Sequence, residues 1–464
     1  MKNTEKVLKF IIHWRWLFYV IAFLTLAFLS SQYALITNGF PTGDDPAIHI
    51  QYIHIYSYRE MFKILSYPMP LSIFKFFHSI SHLSAPTLFV LQISTQLFLA
   101  SVSLFFFIKK MTKSNLYSFV GAAAFALGCW SVDSLRMGLF AESFGWIVLI
   151  WTLYFLASGN ILLTVLSSAF LAFSHPFSFT IFALIFMLYF VLMIFEKQGR
   201  KYILIIGGIY IGAIVVCYLV DPAILVKFRD FINPERIGWG ERPLWEVLIN
   251  NDPLRTFSLV FALIGVVIST KNWSSRYIKV LYLLLFVALF MSMNQIFGVR
   301  FLVFRFFPYL DIALAIFISL GVKHFVETMK LGRFYSIGLT ILIGIVALWP
   351  HFRGNNIITS YQVNNVAAND SMTIGDREAI DWLQRNSDSS VVVTATHKRQ
   401  IWIKALTDVG SIENLSVFQK TDVLPTGLNF NEIYYAEVDQ IPAIVSDNYS
   451  LIYDHDGVKI FKVK

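Results

Sequence analysis

Two adjacent acids, Asp44 and Asp45, stand just past the first long apolar run in "ITNGFPTGDDPAIHIQYI", followed by Pro46 and His49. A carboxylate within hydrogen-bond reach of a hydroxyl can take its proton, so either acid can work as a general base. Two hard carboxylates can also hold Mg²⁺ or Mn²⁺. Asp45 and His49 are four residues apart and share a face where the segment is helical. A purely structural role competes with this one. Asp45 before Pro46 is a good helix N-cap with proline at the first helical position. The cap leaves the second acid unexplained, and one residue can both cap and react. His49 either belongs to a site or sits at an interface with its polar edge in water.

The surrounding chain says where these residues lie. Of 464 residues, 56% are hydrophobic, 17% aromatic and 14% charged, where a soluble domain carries about 25% charged residues. The sequence reads as a polytopic α-helical membrane protein. Its basic start leads into an apolar run from about Trp14 to Ile36. That run is too long for a signal-peptide core and has no small-x-small cleavage site, so it reads as a retained transmembrane helix. Further segments lie near 86–109, 115–131, 140–157, 160–174, 176–195, 201–220, 254–270, 277–297, 301–321 and 334–350. Most approach the roughly 20 residues that a bilayer crossing needs; those at 115–131 and 160–174 are short. About eleven crossings result.

Basic loops sit on the cytoplasmic side of membrane proteins. Lys2, Lys6 and Lys9 therefore place the N-terminus in the cytoplasm, and "KKMTK", "EKQGRK", "KNWSSRYIK" and "KHFVETMKLGR" fall at alternate loops. The neutral "ASGN" carries no signal. Eleven crossings put the C-terminal end outside. Residues 351–464 hold 10 Lys+Arg and 14 Asp+Glu, net −4, against 27 and 15, net +12, in residues 1–350. The pI near 9.2 comes from loops flanking the membrane, so anionic membrane lipid is the partner it implies, and nucleic acid is not. Cys129 and Cys217 fall in or at the ends of membrane segments, which excludes a disulfide or zinc framework. An external domain without disulfides points to a prokaryote. Three Asn-x-Ser sequons, at Asn369, Asn414 and Asn448, lie in the tail and are a weak signal.

Two domains follow: 1–350 in the membrane, with an external loop at 37–85, and an external α/β domain at 351–464. In the tail, "DREAIDWLQRNS" spaces Ala379, Ile380, Trp382 and Leu383 as a short amphipathic helix. "SVVVTAT" reads as a buried strand and "YSLIYDHDGVKIFKV" as a hairpin turning at Asp456-Gly457. Residues 46–84 predict one or two helices lying along the membrane, interrupted at "YPMP".

Ionisable residues recur on the external face. Besides Asp44, Asp45 and His49 there are Asp133, Arg136 and Glu142, then His175, then Arg229, Arg236 and Arg242, then Arg300 and Arg305. Such groups at membrane depth are costly and are often functional. Bland roles also exist: Arg136 and Glu142 can pair with each other, His175 before Pro176 can start a helix, and the arginines can touch lipid headgroups.

This plan resembles the GT-C glycosyltransferases: a first helix, a long external loop opening on acids, juxtamembrane helices, many spans and an external α/β tail. "GDDPAIHIQ" is similar to the acidic motif of their first external loop. "RFLVFRFFPYLDIALAIFISLGV" resembles one of their late membrane segments. "REAIDWLQRNS" and "YDHDGVKIFKV" resemble the start and end of their external domain. The resemblance implies a polyprenyl-phosphate-linked sugar as donor and a glycan, lipid or protein as acceptor, at the cell membrane. Asp44 or Asp45 would then be the base, the other orienting it or binding Mg²⁺ or Mn²⁺. His49, Arg136, Glu142 and His175 would line the substrate site. Arg229, Arg236, Arg242, Arg300 and Arg305 would face the lipid phosphate. The tail lacks the Trp-Trp-Asp signature of the oligosaccharyltransferases in this superfamily, which favours transfer of a single sugar. A transporter or flippase of lipid-linked sugars is the rival, though such proteins place their sites near mid-membrane and show internal repeats. A non-catalytic membrane scaffold is the third reading.

The charge pattern makes a topological prediction. With the native cysteines replaced, Asp45→Cys should react with an impermeant maleimide on intact cells and Lys110→Cys should not. The reverse labelling would invert the topology.

Overall fold

The structure is a computed structural model. It describes residues 36–37, 40–41, 45–65, 67–126, 140–196, 207–208, 253–293, 303–330, 374–386, 391–394, 397–407, 410–413, 432–436, 449–455 and 457–463. The first expected crossing and those at 201–220 and 334–350, both cysteines and the three sequons lie outside these residues, apart from Gly207 and Gly208.

The described chain opens on a short antiparallel ribbon, β1 (Ile36–Thr37) and β2 (Phe40–Pro41), and then three helices: α1 (Asp45–Ile55), α2 (Tyr58–Ile64) and α3 (Pro68–Ser81). The expected interruption at "YPMP" is present: α2 ends at Ile64 and α3 begins at Pro68, with proline in the first turn, where the missing N–H is no loss. A second break, not expected from the sequence, falls earlier, at Ser57. Its side chain accepts from the Glu60 N–H at 3.3 Å, and its own N–H donates to the Glu60 carboxylate at 2.8 Å. This capping box starts α2 and ends any continuation of α1. The Ser57 hydroxyl also donates to Glu60 and holds that exposed carboxyl below its ordinary pKa. Lys75 of α3 donates to the carbonyls of Ile53 and Tyr56, both at 2.7 Å, and so closes the C-terminal end of α1. On α3, Leu71 and Phe74 are buried while Phe76, Phe77 and Ile80 are exposed, the pattern of a helix lying at an interface.

The bundle follows: α4 (Ala85–Thr112), α5 (Asn115–Ala126), α6 (Phe140–Ser158), α7 (Ile161–Ser174), α8 (Pro176–Phe195), α9 (Pro253–Ser269), α10 (Arg276–Ser292) and α11 (Phe307–Thr328). Among the described residues α4, α6, α8 and α11 are long and apolar enough to cross a membrane, and parts of α5, α7 and α9 are shorter apolar helices. The buried share is 72% for α6 and 39% for α8, so α6 is central and α8 faces outward. The expected 301–321 crossing begins later. Val303–Phe306 is a 3-10 turn and α11 starts at Phe307, with Pro308 in its first turn. Arg305 therefore stands at the mouth of a helix rather than inside one.

Helices in lipid gain little from the hydrophobic effect and associate through close packing. At the α9–α11 crossing a Cβ on Gly265 would strike the Phe317 carbonyl, and one on Gly321 would strike the Phe261 carbonyl. Only glycine allows the two backbones to meet there. The end of the bundle away from α1 is basic. Lys109 and Lys110 close α4, Lys279 at the start of α10 donates to Glu196 after α8 at 2.6 Å, and Lys323 donates to the Thr112 carbonyl at 3.1 Å.

The C-terminal unit holds α12 (Ile374–Asn386), β3 (Val391–Thr394), α13 (His397–Leu406), β4 (Gly410–Glu413), β5 (Glu432–Ala436), β6 (Tyr449–His455) and β7 (Val458–Val463). The sheet order is β4-β3-β5-β7-β6. β3 runs parallel to β4 and β5, and β7 is antiparallel to β5 and β6. The expected helix, strand and hairpin are all present, with Gly457 in the left-handed turn at φ 77°. α13 packs along α1, so this unit sits at the same end of the bundle as the acidic loop. One continuous buried cluster joins α1, the bundle and the C-terminal unit.

Gly321→Ala and Gly265→Ala should each force the α9–α11 backbones apart. Overpacking of this kind costs about 1–3 kcal/mol. Denaturation of the purified protein in detergent is expected to show a lower midpoint for both variants. The same change at exposed Gly208, where no atom lies within 4 Å, should leave it unchanged.

Candidate functional site

Four helix ends bring the site together: α1, the N-terminal end of α6, the α7–α8 junction and the turn before α11. Glu142 lies in the first turn of α6 and is fully buried. A carboxylate there gains from the helix dipole but needs a partner once out of water. Among the described residues Arg305 is a partner, Nη1 to Oε2 at 3.2 Å, while Arg136 lies outside them. The Arg305 side chain keeps 23% of its surface exposed, while that of Glu142 keeps none. The arginine is therefore the face of the pair that a ligand can reach. Its guanidinium also lies 6.0 Å from the Phe177 ring centroid.

His175 is the residue between α7 and α8, with Pro176 opening α8, so its helix-start role is real. Its ring is also held in a polar chain. Ser178 Oγ and Tyr309 O–H are 2.8 Å apart, and each approaches His175 Nδ1, at 3.4 and 3.5 Å. The chain forms because Ser178 is one turn past His175 and Tyr309 one turn past Arg305. Gly145 of α6 lets this turn come close. A Cβ there would strike Ser178 Oγ and lie 2.7 Å from the His175 Cβ.

His49 points inward from α1. It is 3% exposed, with Tyr67 O–H 3.4 Å from Nε2 and the Phe89 and Phe140 rings around it. It does not snorkel. Burial, with the Arg305 charge as the second cause, pushes its pKa down to about 3. Burial also holds His175 well below the ordinary histidine value, followed by Arg305 and then His49. Both rings are neutral at physiological pH. Arg305 acts on both, and His49 acts on His175, so the three form one electrostatic unit. Deeper in, Ser143 donates to the Gln96 carbonyl oxygen. His49 Nδ1 and Gln96 Nε2 are buried and find no hydrogen-bond partner among the described residues.

Of the residues singled out from the sequence, His49, Glu142, His175 and Arg305 come together. Asp45 is the first residue of α1, one turn before His49, and its side chain lies outside the described residues. So do Asp44, Asp133, Arg136, Arg229, Arg236, Arg242 and Arg300. Ser178, Tyr309, Gln96, Ser143 and Tyr67 were not singled out. The one-turn spacing in "HPFS" and "RFFPY" was the available signal for Ser178 and Tyr309. Among the described residues no three His, Cys, Asp or Glu side chains gather as metal ligands, and Glu142 is engaged by Arg305. Asp44 and the side chain of Asp45, the expected ligands of Mg²⁺ or Mn²⁺, lie outside the described residues.

No family model matches the sequence, and no curated protein does. Solved structures do match. The arabinofuranosyltransferase AftD from mycobacteria superposes with a TM-score of 0.57 at 11% identity, over 97% of this chain and 40% of that one. A mutant of the same protein gives 0.59 at 11%, over 97% and 41%. The oligosaccharyltransferase of Archaeoglobus fulgidus, solved in complex with Zn and sulfate, gives 0.56 at 14%, over 89% and 68%. The chain thus spans well under half the length of the arabinofuranosyltransferase. At these identities the likeness is one of fold: this membrane protein has the GT-C fold.

The neutral histidines set a pH dependence. Each has a folded pKa below its unfolded value of about 6.5, so between those values the unfolded chain binds more protons and stability falls with falling pH. For His49 the window runs from about pH 6.5 down to about 3. The loss is about 1.4 kcal/mol per pH unit for each histidine. His175→Gln should flatten the decline in unfolding midpoint between pH 6.5 and 5. An unchanged slope would show that His175 titrates normally.

Proposed function

We propose that this chain is a membrane glycosyltransferase that moves one sugar from a polyprenyl-phosphate donor to an acceptor on the external face. The observation that carries it is the meeting of Arg305–Glu142, His49 and His175 one helical turn from Asp45, at one end of a GT-C-fold bundle. A sugar joined to phosphate offers many oxygen acceptors and one anionic group. Arg305 answers the anionic group with a charge-assisted contact. The two neutral rings supply hydrogen bonds without adding positive charge.

In the reaction, an acceptor hydroxyl loses its proton to Asp44 or Asp45 and its oxygen bonds to the anomeric carbon. The bond from that carbon to the phosphate oxygen breaks, and the electron pair leaves with the lipid phosphate. Arg305 stabilises the charge that grows there. Glu142 touches neither substrate and holds the guanidinium in place. Arg229, Arg236, Arg242 and Arg300 belong to the same external face in this reading, as further contacts for the phosphate, and Arg136 stands near the acceptor. The division at residue 350, about eleven crossings and the external position of 351–464 complete the proposal. α13 lying on α1, opposite the basic ends of α4 and α10, supports it.

The test is sugar transfer by purified protein with a panel of radiolabelled polyprenyl-phosphate sugars. Asp44→Asn and Asp45→Asn keep shape and capping ability. The variant that removes the base should fold, bind donor and turn over about 10²- to 10⁴-fold more slowly. Arg305→Met should weaken donor use by about 10- to 100-fold, as expected for a lost charge-assisted contact. Full turnover in both Asp variants would remove the acids from catalysis. Movement of intact lipid-linked sugar across vesicles, without transfer, would establish the flippase instead.

A further inference from the structure

α1 carries His49 into the site and begins at Asp45, yet it is only 11 residues long. A helix of that length is marginal by itself and takes its position from what it packs against. On the bundle side it meets α3 and α4. Beyond them it packs most extensively against α13, which belongs to the C-terminal unit. Arg399, Trp402 and Ile403 lie on one face of α13 at helical spacing, and all three are buried. Arg399 is 3% exposed and donates from Nε to Oδ1 of Asp376 at 3.1 Å, and Asp376 itself is wholly buried. Asp376 lies in the first turn of α12.

A buried ion pair is a poor source of net stability, because desolvation consumes most of the attraction. Its distinctive effect is directional. A hydrogen-bonded guanidinium and carboxylate allow α12 and α13 one relative setting, where apolar packing allows several. We infer that Arg399 and Asp376 are positioning residues for the site, fixing α13 so that it presses α1 into the pose that seats His49. The inference rests on the reading of the His49–Arg305 cluster as the reaction centre. Neither residue touches substrate. They act through α13 and then α1, so the C-terminal unit is a working part of the site rather than an appendage.

Hydrogen exchange by mass spectrometry and steady-state kinetics on the same full-length protein test this. In Arg399→Met, amides of 45–55 should exchange at least about 10-fold faster, with α6 and α11 unchanged. The folded fraction should lose about 10- to 100-fold in kcat, the penalty of a small misplacement of reacting groups. Arg399→Lys keeps the charge and should restore part of both. Where Arg399→Met is not recovered from membranes, Arg399→Lys and Asp376→Glu give the same readouts with smaller effects. A role limited to local stability predicts faster exchange confined to residues 374–463 and unchanged kcat in the folded fraction, which overturns the inference. Unchanged exchange over 45–55 overturns it as well. The exchange readout does not depend on turnover. Should no lipid-linked sugar be a substrate of the wild type, the proposed function fails while the coupling of α13 to α1 is still decided.

Discussion

The Arg305–Glu142 pair ties two places in the chain that are 163 residues apart. Glu142 is fully buried at the start of α6, the most buried of the candidate spans. An unpaired carboxylate there would be costly enough to pick up a proton or pull the helix end toward water. With Arg305 beside it, α6 can begin deep in the protein and the turn before α11 must come to it. The same contact places a positive charge among two histidines that burial keeps neutral. Shape and electrostatics at this end of the bundle therefore share one cause.

The rest of the bundle exists to let these ends converge. Gly265 and Gly321 bring α9 onto α11. Gly145 brings α6 onto the His175–Ser178 turn, and Pro308 sets the start of α11. Lys279 with Glu196 and Lys323 with the Thr112 carbonyl join helix ends on the opposite side.

Much of this was legible in the sequence, and the reasons differ by element. Long apolar runs show themselves by composition, so α4, α6, α7, α8, α9 and α10 start and stop close to the expected residues. The tail hairpin was legible because Asp-Gly turns are sharp local signals. The start of α11 was not, because hydropathy counts Phe, Leu and Val alike whether they sit in a 3-10 turn or a helix. The break at Ser57 has only its capping box as a local signature, and the prolines of "YPMP" are the stronger signal in that stretch. At the site, residue types pointed to His49, Glu142, His175 and Arg305 but could not say who pairs with whom. Glu142 meets Arg305, which is far away along the chain. Pairing across many helices depends on how they cross, which no local pattern carries. Gln96, like Gln92 on the same helix, is a polar residue inside a span, a type that often marks a functional position.

The packing of α1 under α13 also bears on how the protein comes to exist. α1 ends at Ile55 and α13 begins at His397, so during synthesis the site's first histidine emerges hundreds of residues before the helix that covers it. Domains form as their segments appear, and a contact so distant in sequence closes late. Until then α1 lies on an incomplete bundle with part of its surface uncovered. A chain stalled before residue 397 has every bundle helix described above but not the brace over α1. Competence at the membrane thus arrives as one of the last events of biogenesis, after insertion rather than with it.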